Sequence, residues 1–145
     1  RSAPSADIRL EVVRPPRDPI PALLAVDHPG LDLFVHRDLL GEVVDPESLW
    51  ADPVVAALAR RQRADGAWIY TGRRSRPSTA YDLLSTYEAL LVLVEQYALD
   101  ARHPAFRSAA EFVLGFQRPA GDLRGMYGNQ YSPNYTAAIV AVLLD

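Results

Sequence analysis

By residue type, the acids Asp65, Asp82, Glu88, Glu111 and Asp122 are the candidates for general acid–base work. Sugar-cleaving enzymes need two such carboxylates about 5 to 9.5 Å apart. No pair is marked out by spacing. Asp65 and Asp122 lie in glycine turns, and Asp82 falls in a helix first turn, where a carboxylate favours the helix dipole. The three histidines, His28, His36 and His103, stand in turns or at helix starts far apart in the chain, so no metal cluster is expected from them. The chain has no cysteine, which removes a disulfide framework, a thiolate zinc site and a nucleophilic thiol together. Nothing resembles the G-x-S-x-G elbow of serine hydrolases. No catalytic residue, metal or cofactor is therefore assigned.

What remains is a pair of long loops. Gly66 to Pro77 carries Trp68, Tyr70, Arg73, Arg74 and Arg76; Arg118 to Ser132 carries Arg124, Met126, Tyr127, Asn129, Gln130 and Tyr131, with Tyr135 just beyond. Both loops lead into a helix N-terminus. Aromatics, amides and guanidinium groups before two positive helix ends suit an apolar body with a polar or anionic head. The competing reading is that the tyrosines pack the loops over the edge of a helical array.

The elements that position these loops are helical, because apolar residues recur at three and four positions and no strand pattern competes. Leu31, Phe34, Val35, Leu39 and Leu40 form a short amphipathic segment ending near Gly41. Asp52-Pro53 opens a helix through Val54, Val55, Leu58 and Ala59 to about Gln62. A longer one is expected from Ser78 or Thr79 to about Leu99, on the stripe Leu83, Tyr87, Leu90, Val94, Tyr97. His103-Pro104 opens a fourth and Ser132-Pro133 a fifth. Five prolines fall within the first 21 residues, so residues 1–26 are expected to be an irregular Pro-rich arm. Residues 27–145 are expected to form the helical domain.

A repeat underlies the helices. Gln62 and Gln117 stand 55 residues apart, as do Gly66 and Gly121, and Thr86 and Thr136 stand 50 apart. A period of this size means that each helix pair buries its face on the next, as in helical arrays and toroids. The Gln can hydrogen-bond groups of the adjacent turn, the Gly supplies a positive φ, and the aromatic seals the gap between pairs.

The run Gln62-Arg-Ala-Asp65-Gly66-Ala-Trp68 resembles the Q-x2-D-G-x-W repeat of the squalene cyclase and prenyltransferase superfamily. The second copy keeps Gln117 and Gly121 and has Leu123 in place of the Trp. The stretch from His36-Arg37-Asp38-Leu39-Leu40 through Gly128-Asn129-Gln130-Tyr131-Ser132-Pro133-Asn134-Tyr135-Thr136 is similar to squalene-cyclase-like prokaryotic proteins of uncharacterised function, about twice as long. The likeness covers roughly residues 28–145. It implies an all-α fold of helical hairpin repeats forming part of an α/α toroid, with Gln62, Asp65, Gly66, Trp68, Gln117 and Gly121 as architecture. The superfamily's D-x-D-D and D-D-x-x-D motifs are absent, and its zinc site needs a cysteine this chain lacks.

Composition bounds the rest. With 145 residues, 49% hydrophobic and 23% charged, the chain can build a core without staples. A net charge of −3 argues against nucleic acid, and all 15 basic residues are Arg. No apolar run spans a membrane, and the expected setting is the cytoplasm. The first residue is Arg and the last lie inside an apolar helical pattern, so both ends read as cut. The resulting expectation is a non-catalytic repeat module for an apolar or lipid-like small molecule or a protein partner, completed as a homodimer or by a C-terminal half. The alternatives are part of an isoprenoid- or lipid-processing enzyme whose catalytic residues lie elsewhere, and a carbohydrate-active α/α barrel.

Overall fold

The computed structural model describes residues 17–69, 79–126 and 130–144. The described residues hold α1 (Ile20–Leu24), α2 (Pro29–Phe34), α3 (Pro53–Arg61), α4 (Thr79–Tyr97), α5 (Pro104–Leu114) and α6 (Pro133–Leu144). A π-helical turn at Val35–Leu39 extends α2, and a 3₁₀ turn occupies Pro46–Leu49. No strand forms among the described residues, so the chain is all-α, as the periodicity predicts.

The X-Pro dipeptides set the helix starts. The Asp52 side chain accepts the Val54 N–H at 2.7 Å, and Nδ1 of His103 accepts the Ala105 N–H at 3.1 Å, each ahead of Pro at the first helical position. Proline fits there because its missing N–H would have no intrahelical partner. The same rule corrects one expectation. Part of the irregular arm is helical: Asp18 Oδ1 accepts the Ile20 N–H at 3.0 Å, Pro19 stands at the N-cap of α1 and Pro21 falls in its first turn. At the other end of α4, Ala98 takes φ +49° while Leu99 N–H bonds Leu93 O at 2.9 Å. Glycine usually fills this left-handed cap; here the methyl packs with Leu33 and Leu49.

The core is built around α4. Its Leu83, Leu90, Leu93, Val94 and Tyr97 are buried against Val55 of α3, Phe106, Ala109 and Val113 of α5, and Ile139 and Val142 of α6. Each fully buried leucine contributes about 1.5–3 kcal/mol. α2 sits across the C-terminal end of α4, so close that a Cβ on Gly30 would fall 1.9 Å from the Gln96 carbonyl. Arg102 ties this N-terminal layer to the start of α5, reaching Asp100 at 2.8 Å and Glu47 at 2.9 Å while lying over the Trp50 ring.

Candidate functional site

Two turns, residues 62–68 and 117–123, carry the same hydrogen bonds. Gln62 Nε2 donates to Gly66 O at 3.0 Å, and Gln117 Nε2 to Gly121 O at 3.3 Å. Arg63 N–H bonds Ala67 O at 2.9 Å, and Arg118 N–H bonds Asp122 O at 2.8 Å. Trp68 N–H donates to Thr86 Oγ1 at 3.0 Å, and Leu123 N–H to Thr136 Oγ1 at 3.2 Å. Gly66 and Gly121 have φ of +88° and +90°, the left-handed geometry that disfavours a side chain. Each turn is thus fastened to the helix that follows it.

The turns differ in what covers them. Gln62 Nε2 also donates to Ala105 O at 2.9 Å, at the start of α5. A Cβ on Gly66 would lie 2.0 Å from Ser108 O, whereas one on Gly121 would meet nothing within 4 Å. Trp68 is 5% exposed, and its indole N–H donates to Leu58 O at 2.9 Å.

Beside the second turn lies a cavity of about 220 Å³. Leu83 of α4, Leu123 and Met126 of the loop, and Tyr135 and Ile139 of α6 form its apolar wall. Gln130, Tyr131 and Ser132 bring polar groups to it. Arg124 flanks this region, its guanidinium 5.8 Å from the centre of the Tyr131 ring and its Nε hydrogen-bonded to Asp122 Oδ2.

Of the residues singled out for binding, Gln130, Tyr131 and Tyr135 come together at this cavity with Arg124 alongside. Trp68 does not join them: it is core, because its indole is enclosed and its N–H is engaged by the Leu58 carbonyl of α3. Tyr70, Arg73, Arg74, Arg76, Tyr127 and Asn129 lie outside the described residues. Leu83, Leu123, Gly125, Met126, Ser132 and Ile139 complete the cavity; as sequence, Leu83 and Ile139 are ordinary members of helical stripes.

Of the candidate acids, Asp65, Asp82 and Asp122 have arginine partners. Arg63 bridges Asp65 at 2.6 Å and Asp82 at 3.2 Å, pinning turn 1 to the first turn of α4. His28 and His103 cap α2 and α5, and His36 lies 2.9 Å from Glu42 and 3.7 Å from Asp32. Burial, aided by nearby Arg107 and opposed by Asp100, pushes the His103 pKa below its ordinary value. That favours the neutral ring needed to accept the Ala105 N–H. Among the described residues no group of three His, Asp or Glu is placed to hold a metal ion, and no helix is long and apolar enough to cross a membrane.

No family model, curated protein or solved structure matches the chain.

Proposed function

We propose that this chain is a non-catalytic helical repeat module of the squalene-cyclase-like α/α toroid kind, with α3–α4 and α5–α6 as two copies of one hairpin. It binds a small apolar or lipid-like molecule bearing a polar head in the cavity beside the second turn. The carrying observation is that the cavity adjoins Leu123, the smaller side chain at the position where turn 1 has Trp68. The space left is larger than the ~150 Å³ apolar cavity that takes up benzene. The side chains of Leu83, Leu123, Met126 and Ile139, with Tyr135, would surround the body of the ligand, and Gln130, Tyr131 and Ser132 its head. The neighbouring acids are held by arginines, which supports binding over acid–base chemistry.

Met126 is the one methionine of the chain and is buried in this wall, so its methyl NMR signal reports on the cavity alone. Titration with a ten-carbon isoprenoid alcohol should move that signal saturably. Leu123→Trp should fill the space and abolish the shift while the fold persists. An unmoved signal up to the solubility limit, or an equal shift in Leu123→Trp, contradicts the proposal.

A further inference from the structure

We infer that the cavity beside the second turn takes a ligand with an uncharged head, a hydroxyl on a body of about ten carbons, and turns away the carboxylate of the same skeleton, because Asp122 holds the one cation at its edge, Arg124. The inference rests on the reading of that cavity as a binding site and narrows its ligand.

The cavity is apolar at depth and polar at its mouth. Leu83, Leu123, Met126 and Ile139 are each no more than 5% exposed, whereas Gln130 and Tyr131 are exposed and Ser132 is half-buried. A ligand therefore enters body first and leaves its head at the mouth. Benzene, with its six carbons, fits a cavity of ~150 Å³, so a space of about 220 Å³ takes a body of about nine or ten.

Among the described residues, no side chain lining the cavity carries a charge. The mouth is supplied by the amide of Gln130 and the hydroxyls of Tyr131 and Ser132, all of which both donate and accept. A hydroxyl head matches them in either direction. A carboxylate only accepts, and it would give up water without meeting a cation.

Two features could favour an anion there, and both are engaged. Arg124 has its Nε on Oδ2 of Asp122, and its guanidinium lies 5.8 Å from the centre of the Tyr131 ring. Tyr131 borders both the cavity and the outer groove that Arg124 and Asp122 line, so its ring stands between that pair and the cavity. Asp122 is 7% exposed, and its Oδ1 is buried without a hydrogen-bond partner in the structure. A carboxylate so far removed from water depends on its counter-charge, and Arg124 stays with it. The second feature is the positive end of α6. Pro133 has no N–H, and the Thr136 N–H is bonded to Ser132 O at 3.2 Å, which leaves at most the Asn134 and Tyr135 amides.

The Met126 methyl signal reads the test. At about pH 7.5, where a carboxylic acid is ionised, the ten-carbon isoprenoid alcohol should bind at least about tenfold more tightly than the acid of the same skeleton, since the acid loses water from an unpaired charge. An acid that binds as tightly as the alcohol overturns the inference and leaves the binding site standing. A signal that neither ligand moves rejects the site, and the inference with it. Asp122→Asn keeps the shape of the side chain and releases Arg124, so it should narrow the gap between acid and alcohol by at least about threefold, with the alcohol's affinity unchanged. A gap unchanged in that folded variant overturns the inference; if the variant does not fold, the comparison in the wild-type chain decides alone.

Discussion

Turn 1 and turn 2 use one hydrogen-bond pattern in two surroundings. In the first, Gln62 links its own turn to α5, Gly66 lies against a helix backbone and Trp68 is sealed inside. In the second, Gln117 holds its own turn, Gly121 faces open space, and a leucine in the Trp position borders a cavity. The local pattern therefore needs only Gln, Gly and a Thr in the next helix. What that pattern contributes to stability depends on the element that lies over it.

Substitutions at matched positions test this contrast. Trp68→Ala should be the most damaging, at about 3–5 kcal/mol by the usual cost of emptying an aromatic site. Leu123→Ala, beside a space already empty, should cost about 2 kcal/mol, toward the low end for buried leucines. Equal losses at the two positions would break the contrast. Gly66→Ala combines a left-handed backbone with a collision against Ser108 O, and should cost about 2–4 kcal/mol in chemical denaturation. Gly121→Ala carries the backbone cost alone, about 1–2 kcal/mol.

Next come the amides. Gln62→Ala strips a partly buried side chain of two hydrogen bonds and should cost about 1–3 kcal/mol. Gln117→Ala removes one long, exposed bond and should cost under about 0.5 kcal/mol.

The smallest effect involves His103, which caps the helix covering turn 1. Its pKa is depressed in the fold, chiefly by burial, so the folded state holds fewer protons there than the unfolded chain. Its contribution is present above the unfolded value and is lost as pH falls through the folded one. The melting temperature should therefore decline between about pH 7.5 and about pH 5. His103→Asn, which keeps a capping acceptor without that titration, should flatten the slope.

Much of this fold is legible in sequence because its signals are local. Asp52-Pro53, His103-Pro104 and Ser132-Pro133 set three helix starts, since a capping acceptor followed by Pro has few other uses. The 55-residue spacing of Gln and Gly foretells two turns of one hydrogen-bond pattern. α1 escapes notice because two prolines suggest an extended arm until Asp18 Oδ1 is seen accepting the Ile20 N–H at the start of a short helix.

The candidate site is harder to read. Tyr131, Tyr135 and Gln130 stand out by type, but the cavity itself is a mismatch in side-chain size between α4, the loop and α6, which no single stretch records. The unpaired Asp122 oxygen is equally invisible in sequence, because a carboxylate in a glycine turn ordinarily faces water.

The central claim is that one turn is used twice and covered once. Hydrogen exchange at the Trp68 and Leu123 amides, in dilute solution, tests it most directly, since each is said to donate to the threonine of the next helix. Both should exchange more slowly than free peptide, with Trp68 the slower because α5 covers its turn. A Leu123 amide exchanging at the free-peptide rate, or a Trp68 amide no slower than Leu123, would contradict the account.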